Sequence, residues 1–291
     1  MTITLRNLTK VYRGQTVALH EIDLTVTEGM TGLLGTNGAG KTTLIRILTG
    51  TIQPTSGAVT VCGHDLATTA GRTAVKRLLG YLPQELTLYP DLTGREFLDY
   101  VALLKGIDDQ RSRRSQIEHL LDRVGLESVS AQRISSYSGG MRRRLGIAQT
   151  LLGDPKLIIV DEPTAGLDPE ERIRFRTLLG RLGGDRIVIL STHILDDVAH
   201  SCPYAAVLTD GRLAYHGTTG GLVAVAEGQT HIVRASAEPQ GDFTVVNVTT
   251  AGDGVEYRVV GQAPLPESRP VAPTLDDGYI ALLRAARAGT R

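Results

Sequence analysis

The fold of this chain of 291 residues is indicated most strongly by the segment Gly35-Thr-Asn-Gly-Ala-Gly-Lys41-Thr42-Thr43. It fits the pattern GxxxxGK followed by Ser or Thr, and it lies between the apolar run Met30–Leu34 and a stretch with helical apolar spacing. Glycines at this spacing let main-chain N–H groups converge on an anion, and the start of a helix adds a favourable dipole. A phosphate-binding loop is therefore predicted between a strand and a helix. Its contacts are expected from Gly35, Thr36, Asn37, Gly38, Ala39, Gly40, Lys41, Thr42 and Thr43.

Specific chemical roles are predicted for two side chains of this loop. Lys41 is expected to reach the β- and γ-phosphates of a nucleotide, and Thr42 to place its hydroxyl on Mg2+. A glycine-rich turn without a ligand is the alternative, but the strand–loop–helix context of the motif disfavours it. A Rossmann dinucleotide site is excluded because no G-x-G-x-x-G follows the strand. The pattern indicates a chain that binds ATP and hydrolyses it.

A second apolar run ends in two carboxylates that suit the same chemistry. Leu157-Ile-Ile-Val160 leads directly into Asp161-Glu162-Pro163. Asp161 is predicted to hold Mg2+, directly or through water. Glu162 is predicted to polarise the attacking water as a general base. The alternative is an ordinary acidic loop after a buried strand, and the phosphate-binding loop upstream favours the functional interpretation.

Charge and cysteine usage limit the class of protein. Lys and Arg number 31, as do Asp and Glu, so the formal net charge is zero and no nucleic-acid partner is expected. Cys62 and Cys202 form no CxxC pattern, so no disulfide framework and no metal beyond Mg2+ is predicted. The first residues lack a signal-peptide core and the apolar runs are too short to span a membrane, which predicts a cytoplasmic location. The runs Arg111–Arg114 and Arg142–Arg144 are interpreted as solvated helix faces.

Apolar patterning predicts an α/β fold. Alternation over Thr2–Thr27 indicates antiparallel strands, and helical spacing over about Thr93–Leu152 indicates an inserted helical lobe. Apolar strands at Lys156–Val160 and Arg186–Leu190 alternate with helices, as is typical of a parallel sheet. The tail beyond residue 217 reads as three strands and a final helix that begins near Thr274.

Four further features carry a resemblance to a known family. Tyr137-Ser-Gly-Gly-Met141 begins a helix, and Ala165-Gly-Leu-Asp168 follows the acidic strand end. Gln84 and His193 each follow a predicted strand. In this order they resemble the ATP-binding cassette of ABC transporters over about residues 2–217. The resemblance implies a P-loop NTPase cassette in domain 1–217, with a mixed sheet core, antiparallel N-terminal strands and an inserted helical subdomain at about 84–152, followed by a small α+β appendage at 218–291.

The family implies roles at the matching positions. Tyr12 looks like the aromatic residue that stacks on adenine, although a surface aromatic is the alternative. Gln84 looks like the glutamine that senses Mg2+ and the γ-phosphate and faces the membrane partner. His193 looks like the switch histidine that contacts the γ-phosphate. Catalysis is accordingly expected from Glu162, His193, Lys41 and Gln84, and the Mg2+ ligands from Thr42, Gln84 and Asp161.

The remaining motif residues imply a dimer. Ser138, Gly139 and Gly140 look like the signature that meets the γ-phosphate of the other subunit's ATP, and Asp168 looks like an aspartate at the dimer interface. A serine cap followed by two glycines makes a helix N-terminus open to an anion, although a plain helix cap is the alternative. The expected partner is a second copy of the chain, or a second cassette, in a two-fold ATP sandwich.

Departures from the family pattern leave the catalytic residues intact. Tyr137 stands where Leu is common, Met141 where Gln is common and Thr36 where Pro is common. Because Lys41 and Glu162 are retained, an active ATPase is expected.

The combination of Tyr81-Leu-Pro-Gln-Glu85, the signature with its three arginines and the tail Pro273-Thr-Leu-Asp-Asp277 resembles the ABC-2 export branch. It implies an exporter ATPase held at the inner face of the cell membrane by a separate polytopic permease. The alternatives are an importer ATPase, or a soluble ABC ATPase that acts on ribosomes or DNA.

Overall fold

The structure is a computed structural model that describes residues 1–164, 167–180, 182, 184–251, 254–262 and 268–288. Ala165 and Gly166, which belong to one predicted motif, lie outside the described residues. The strands are β1 (Thr2–Val11), β2 (Val17–Thr27), β3 (Gly29–Leu34), β4 (Ser56–Val61), β5 (His64–Asp65), β6 (Leu79–Leu82), β7 (Leu157–Asp161), β8 (Ile187–Thr192), β9 (Tyr204–Thr209), β10 (Arg212–Thr218), β11 (Thr230–Ala235), β12 (Phe243–Ala251), β13 (Gly254–Gly261) and β14 (Ser268–Pro270). The helices are α1 (Lys41–Leu48), α2 (Thr69–Leu78), α3 (Gly94–Leu104), α4 (Gln110–Arg123), α5 (Gly139–Leu151), α6 (Pro169–Gly180), α7 (Leu195–Ser201), α8 (Thr219–Ala224) and α9 (Leu275–Ala288).

The central sheet places the motif residues at one edge. Its strand order is β10-β9-β3-β8-β7-β6, in which β3 runs parallel to β8 and β9, and β7 runs parallel to β6 and β8. Because the carboxyl ends of parallel strands meet at the same edge, the segments after β3, β7 and β8 come together there. An antiparallel sheet of order β2-β1-β4-β5 covers α1, and β10 makes the central sheet mixed. The predicted α/β fold class is confirmed.

Alternating side chains of the central strands fill the cores on both faces of the sheet. Every residue of β7 and β8 is buried, as expected for strands covered on both sides. Val160 and Leu190 pack in a cluster with the helical lobe, whereas Ile159 and Ile189 pack in a cluster with α1 and the antiparallel sheet. Burial on both faces of the sheet fixes the position of the end of β7, which carries Asp161.

The helical lobe α3–α5 begins its helices with the caps that the sequence supplies. Thr93 and Glu96 form a capping box at the start of α3, and Ser138 caps α5. The interpretation of Arg111–Arg114 as a solvated face is wrong for Arg113. Its Nε lies 2.6 Å from Oδ1 of Asp99, and its guanidinium also donates to carbonyl groups in the loop between α3 and α4.

The C-terminal segment forms a third sheet, of order β12-β13-β11-β14, together with α8 and α9. Buried Leu222 of α8 and Leu275 of α9 belong to the same apolar cluster as the helical lobe and one face of the central sheet. A Cβ at Gly278 would lie 2.1 Å from the carbonyl oxygen of Leu222, so the two helices touch through their main chains. Helix α9 also contacts α7, the helix that follows His193.

Candidate active site

A cavity of about 290 Å³ lies at the carboxyl edge of the central sheet and brings together residues from five separate segments. It is lined by Ala18, Thr36, Asn37, Gly38, Gly40, Lys41, Thr42, Thr43, Gln84, Asp161, Glu162 and His193. The sequence pattern predicts the phosphate-binding loop and the acidic strand end, and the family resemblance implies Gln84 and His193. The fold places all of them around one space.

The loop backbone depends on glycine at two positions. Gly38 and Gly40 have φ of 84° and 104°, a region that residues with a Cβ rarely adopt. A Cβ at Gly40 would also lie 2.6 Å from the carbonyl oxygen of Ala18, against which the loop packs. Helix α1 then begins at Lys41, so its N-terminus points into the cavity and favours an anion there.

Lys41 is a nearly buried cation, with 7% of its surface exposed. Its Nζ donates to the carbonyl oxygen of Gly35 at 2.5 Å and lies 3.8 Å from Oε1 of Glu162. Burial lowers the pKa of Lys41, while the carboxylates of Glu162 and Asp161 oppose that shift. A phosphate group that binds here must replace these contacts of the ammonium group with its own oxygens.

Asp161 and Thr42 line the same cavity with side-chain oxygen atoms that can bind a metal ion. Burial raises the pKa of Asp161, and the neighbouring carboxylate of Glu162 adds to that rise, whereas nearby Lys41 and Arg143 oppose it. In the part of the chain that the structure describes, no three His, Cys, Asp or Glu side chains form a metal-binding group. A hydroxyl and a carboxylate nevertheless fit Mg2+, which binds through one or two protein oxygens together with phosphate oxygens and water.

Glu162 has an unusual backbone and two side-chain neighbours. Its φ is 45°, in the left-handed region, and its N–H donates to the carbonyl oxygen of Ser191 on β8 at 2.8 Å. Its Oε2 lies 2.8 Å from Nδ1 of His193, whose side chain is half-exposed. The carboxylate therefore lies between an imidazole and an ammonium group, at the end of β7 where the sequence places a general base.

The other predicted nucleotide contacts lie around or away from the cavity. Tyr12 does not line the cavity, but its hydroxyl lies 3.4 Å from Oγ1 of Thr43, next to the loop. Ser138, Gly139 and Gly140 also do not line it. Ser138 and Gly139 are exposed at the start of α5.

Asp168 is exposed as well, and its Oδ1 accepts the main-chain N–H of Glu171 at 2.8 Å. Asp168 therefore caps the start of α6.

Tyr137, one of the two departures from the family signature, is accommodated in the core. It is buried, and its hydroxyl donates to the carbonyl oxygen of Val129 at 2.9 Å. Gly94 makes room for it, since a Cβ there would lie 2.4 Å from the Tyr137 hydroxyl oxygen. The tyrosine is therefore a structural part of the helical lobe.

The interpretation of Arg142–Arg144 as a solvated helix face is wrong for Arg143, which is a site residue that the sequence pattern does not indicate. Arg142 is exposed, but Arg143 is buried and donates to the main-chain carbonyl oxygens of Gln84 and Glu162. Arg144 is partly buried and lies 3.5 Å from a carboxylate oxygen of Glu171. The signal available in the sequence is helical phase, because Arg143 lies one turn before Ile147 on the buried side of α5.

Comparisons with known proteins concern the family of the chain. A family model described as "ABC transporter" matches residues 19–165. The uncharacterized ABC transporter ATP-binding protein YxlF of Bacillus subtilis (strain 168) is 36% identical over 216 residues, which cover 74% of this chain and 70% of YxlF. The probable multidrug ABC transporter ATP-binding protein YbhF of Escherichia coli (strain K12) is 36% identical over 81% of this chain and 41% of YbhF.

The next comparisons concern the length of other relatives and the similarity to solved structures. The chain spans 24% of ABC transporter A family member 1 of Dictyostelium discoideum and 12% of ATP-binding cassette sub-family A member 7 of Mus musculus. Among solved structures, a dimeric ATP-binding cassette in a post-hydrolysis state, bound to ADP and Pi, matches with a TM-score of 0.67 and 25% identity. That match covers 74% of this chain and 98% of the cassette. The chain therefore belongs to the ABC transporter family, and it carries the ATP-binding cassette of that family.

Proposed function

We propose that this chain hydrolyses ATP with Mg2+ in the cavity at Lys41 and that hydrolysis powers export of a substrate through a membrane permease. One observation carries the proposal: Lys41, Thr42, Asp161, Glu162 and His193 line a single cavity at the edge of the central sheet. A phosphate loop, a carboxylate at a metal position and a second carboxylate near the attack position are the parts that phosphoryl transfer to water requires.

Each residue has a defined task in this proposal. Lys41 binds the β- and γ-phosphates as a cation. Thr42, Asp161 and Gln84 hold Mg2+, which when bound neutralises charge on the phosphate oxygens. Glu162 takes a proton from the attacking water. His193, 2.8 Å from the Glu162 carboxylate, orients that carboxylate and contacts the γ-phosphate.

The signature residues act across a two-fold pair of cassettes. Ser138, Gly139 and Gly140 lie at an exposed helix N-terminus outside the cavity of their own chain, which supports a role at the nucleotide of another subunit. Exposed Asp168 lies at the same interface, and Tyr12 stacks on the adenine beside the loop. The dimeric cassette among the solved relatives makes a homodimer the first candidate, with a second, different cassette as the other.

A groove in the helical lobe is the proposed contact with the permease. It measures about 570 Å³ and lies between α3 and α4, where Tyr100, Leu103 and Ile117 are among its lining residues. The ring of exposed Tyr89 packs edge-on against Tyr100, with the centroids 5.6 Å apart. Because the segment that carries Tyr89 begins just after Gln84, it connects the nucleotide cavity to the groove.

In this proposal the chain lies at the inner face of the cell membrane, bound to the permease. Within the described ranges, no helix has the length and apolarity needed to cross a bilayer. Export, as opposed to import, is supported by the signature Tyr-Ser-Gly-Gly-Met with its three arginines and by the name that the relative YbhF carries.

Two experiments test the proposal. The purified chain is expected to release phosphate from ATP when Mg2+ is present and to stop when a chelator removes it. The tagged chain is expected to recover a polytopic membrane protein from detergent-solubilised membranes of its own cells. Recovery of ribosomes in place of a membrane protein would contradict the transport assignment.

A further inference from the structure

Arg143 uses its whole guanidinium group to connect two loops of the site. Its side chain is 9% exposed and carries five N–H donors. Nη1 donates to the carbonyl oxygens of two residues before the helical lobe, and Nη2 and Nε donate to those of the last residue of β7 and the two residues that follow it. The acceptors are Pro83 at 3.2 Å, Gln84 at 2.8 Å, Asp161 at 3.3 Å, Glu162 at 2.8 Å and Pro163 at 2.9 Å.

These bonds hold Glu162 in addition to its own bond to β8 of the central sheet. The N–H of Glu162 is bound to the carbonyl oxygen of Ser191, and its own carbonyl oxygen accepts from Arg143, each at 2.8 Å. A non-glycine residue at φ 45° is strained and keeps this conformation where surrounding contacts hold it. The two bonds fix both peptide groups of Glu162, and with them the direction in which its carboxylate leaves the backbone.

An arginine is needed for this arrangement. No carboxylate lies in ion-pair contact with Arg143 among the described residues, so main-chain dipoles and nearby Asp161 balance its buried charge. Burial lowers the pKa of Arg143, and Asp161 opposes that shift. A lysine has three donors on one atom and cannot span both loops, and a glutamine has two.

We infer that Arg143 is a positioning residue that ties Gln84 and Glu162 to α5, so that the location of the signature end of α5 sets the geometry of the general base. Arg143 lies five residues after Ser138 on the same helix. Any contact that a nucleotide makes with the start of α5 is thereby transmitted to the backbone of Glu162. This inference rests on the proposed role of Glu162 in hydrolysis.

The first test compares Arg143→Lys and Arg143→Gln with Arg142→Gln, the neighbouring arginine on the exposed side of α5. ATP affinity is measured with a fluorescent nucleotide, and phosphate release gives kcat. For the Arg143 variants we expect kcat to fall about tenfold or more while ATP affinity stays within about threefold. Arg142→Gln should match the wild type. If Arg143→Gln does not fold, kcat and ATP affinity are compared for Arg143→Lys alone, which keeps the charge and the length of the side chain.

A second test asks whether Arg143 acts through Glu162. Single-turnover hydrolysis is measured for Glu162→Gln and for the double variant with Arg143→Lys. The inference predicts that the loss caused by Arg143→Lys shrinks to about twofold or less in the Glu162→Gln background. An equal loss in both backgrounds, or an Arg143→Lys variant with full kcat, overturns the inference while the ATPase assignment stands. Wild-type turnover by Glu162→Gln would instead overturn the proposed role of Glu162 as the general base, and a wild-type chain that releases no phosphate would overturn the ATPase assignment itself.

Discussion

The Nδ1 atom of His193 lies 2.8 Å from Oε2 of Glu162. The other oxygen of that carboxylate lies 3.8 Å from Nζ of Lys41. The proposed base is thus held from two sides by groups that the proposal also assigns to the γ-phosphate. Binding of ATP therefore has to rearrange the same contacts that orient the base, which links occupancy of the site to its catalytic geometry.

Glu162→Gln tests the base directly. The amide keeps the volume and can still hydrogen-bond to His193, but it cannot take a proton from water. Turnover is expected to fall about 100-fold to 10,000-fold, with ATP binding retained. Phosphate release and nucleotide binding measure the two effects, and Glu170→Gln on the exposed face of α6 is the matched control. Full turnover in Glu162→Gln would show that another group activates the water.

Lys41→Ala tests the phosphate cradle. Removal of the cation leaves the loop backbone in place but takes away the charge that faces the β- and γ-phosphates. We expect turnover to fall at least about 100-fold. Lys76→Ala removes an exposed lysine from α2 and should leave turnover unchanged. Equal activity of the two variants would contradict the role given to the loop.

Asp161→Asn tests the metal position. The substitution removes a charge but keeps an oxygen ligand of similar size, so it should weaken Mg2+ binding more than ATP binding. The Mg2+ concentration that gives half-maximal turnover is expected to rise about tenfold or more. Titration of Mg2+ at saturating ATP measures the shift. An unchanged midpoint would remove Asp161 from the set of Mg2+ ligands.

The C-terminal helix provides a prediction about stability. Asp277 is fully buried at the start of α9, where it accepts hydrogen bonds from Arg258 and from the main chain of Thr274. Burial by itself raises the pKa of Asp277, but these hydrogen bonds outweigh it and hold the pKa below its usual value. Loss of this group leaves the Arg258 guanidinium without its partner, so Asp277→Ala should cost about 2–3 kcal/mol of unfolding free energy.

The pH dependence follows from the lowered pKa. A carboxyl with a lower pKa in the folded state stabilises the fold above its unfolded pKa of about 3.9, and the contribution declines as the pH falls through that value towards the folded pKa. The gap in melting temperature between wild type and Asp277→Ala should therefore be large at pH 7 and smaller below pH 4. Asp276→Ala, the exposed neighbour, should show little change at either pH. Equal melting temperatures of the two variants at pH 7 would contradict this account.

The sequence predicts the elements that carry strong local signals. The loop at Gly35, the fully buried strands β7 and β8 and the capping box between Thr274 and Asp277 are found where the patterns place them. Burial on both faces makes those strands recognisable, and a parallel sheet brings their ends together. Helix α2 escapes detection because among its residues only Gly71 and Val75 are buried.

The sequence does not predict contacts that depend on tertiary packing. The Arg142–Arg144 run has the appearance of a solvated face, because local charge does not reveal which residue of the three meets buried carbonyl groups. Arg143 becomes a site residue only when α5 packs against the loops at Gln84 and Glu162. The packing of α9 on α8 at Gly278 likewise joins residues far apart in the chain.

We propose that Lys41 and Glu162 of one chain work with Ser138 of another. The most direct test is the turnover per chain as the purified protein is diluted, measured together with its mass in solution in the presence of ATP and Mg2+. Turnover per chain should then fall on dilution in step with the fraction of dimer, and Ser138→Arg should abolish both the dimer and turnover. A chain that hydrolyses ATP at an undiminished rate while its mass is that of a monomer would contradict the account.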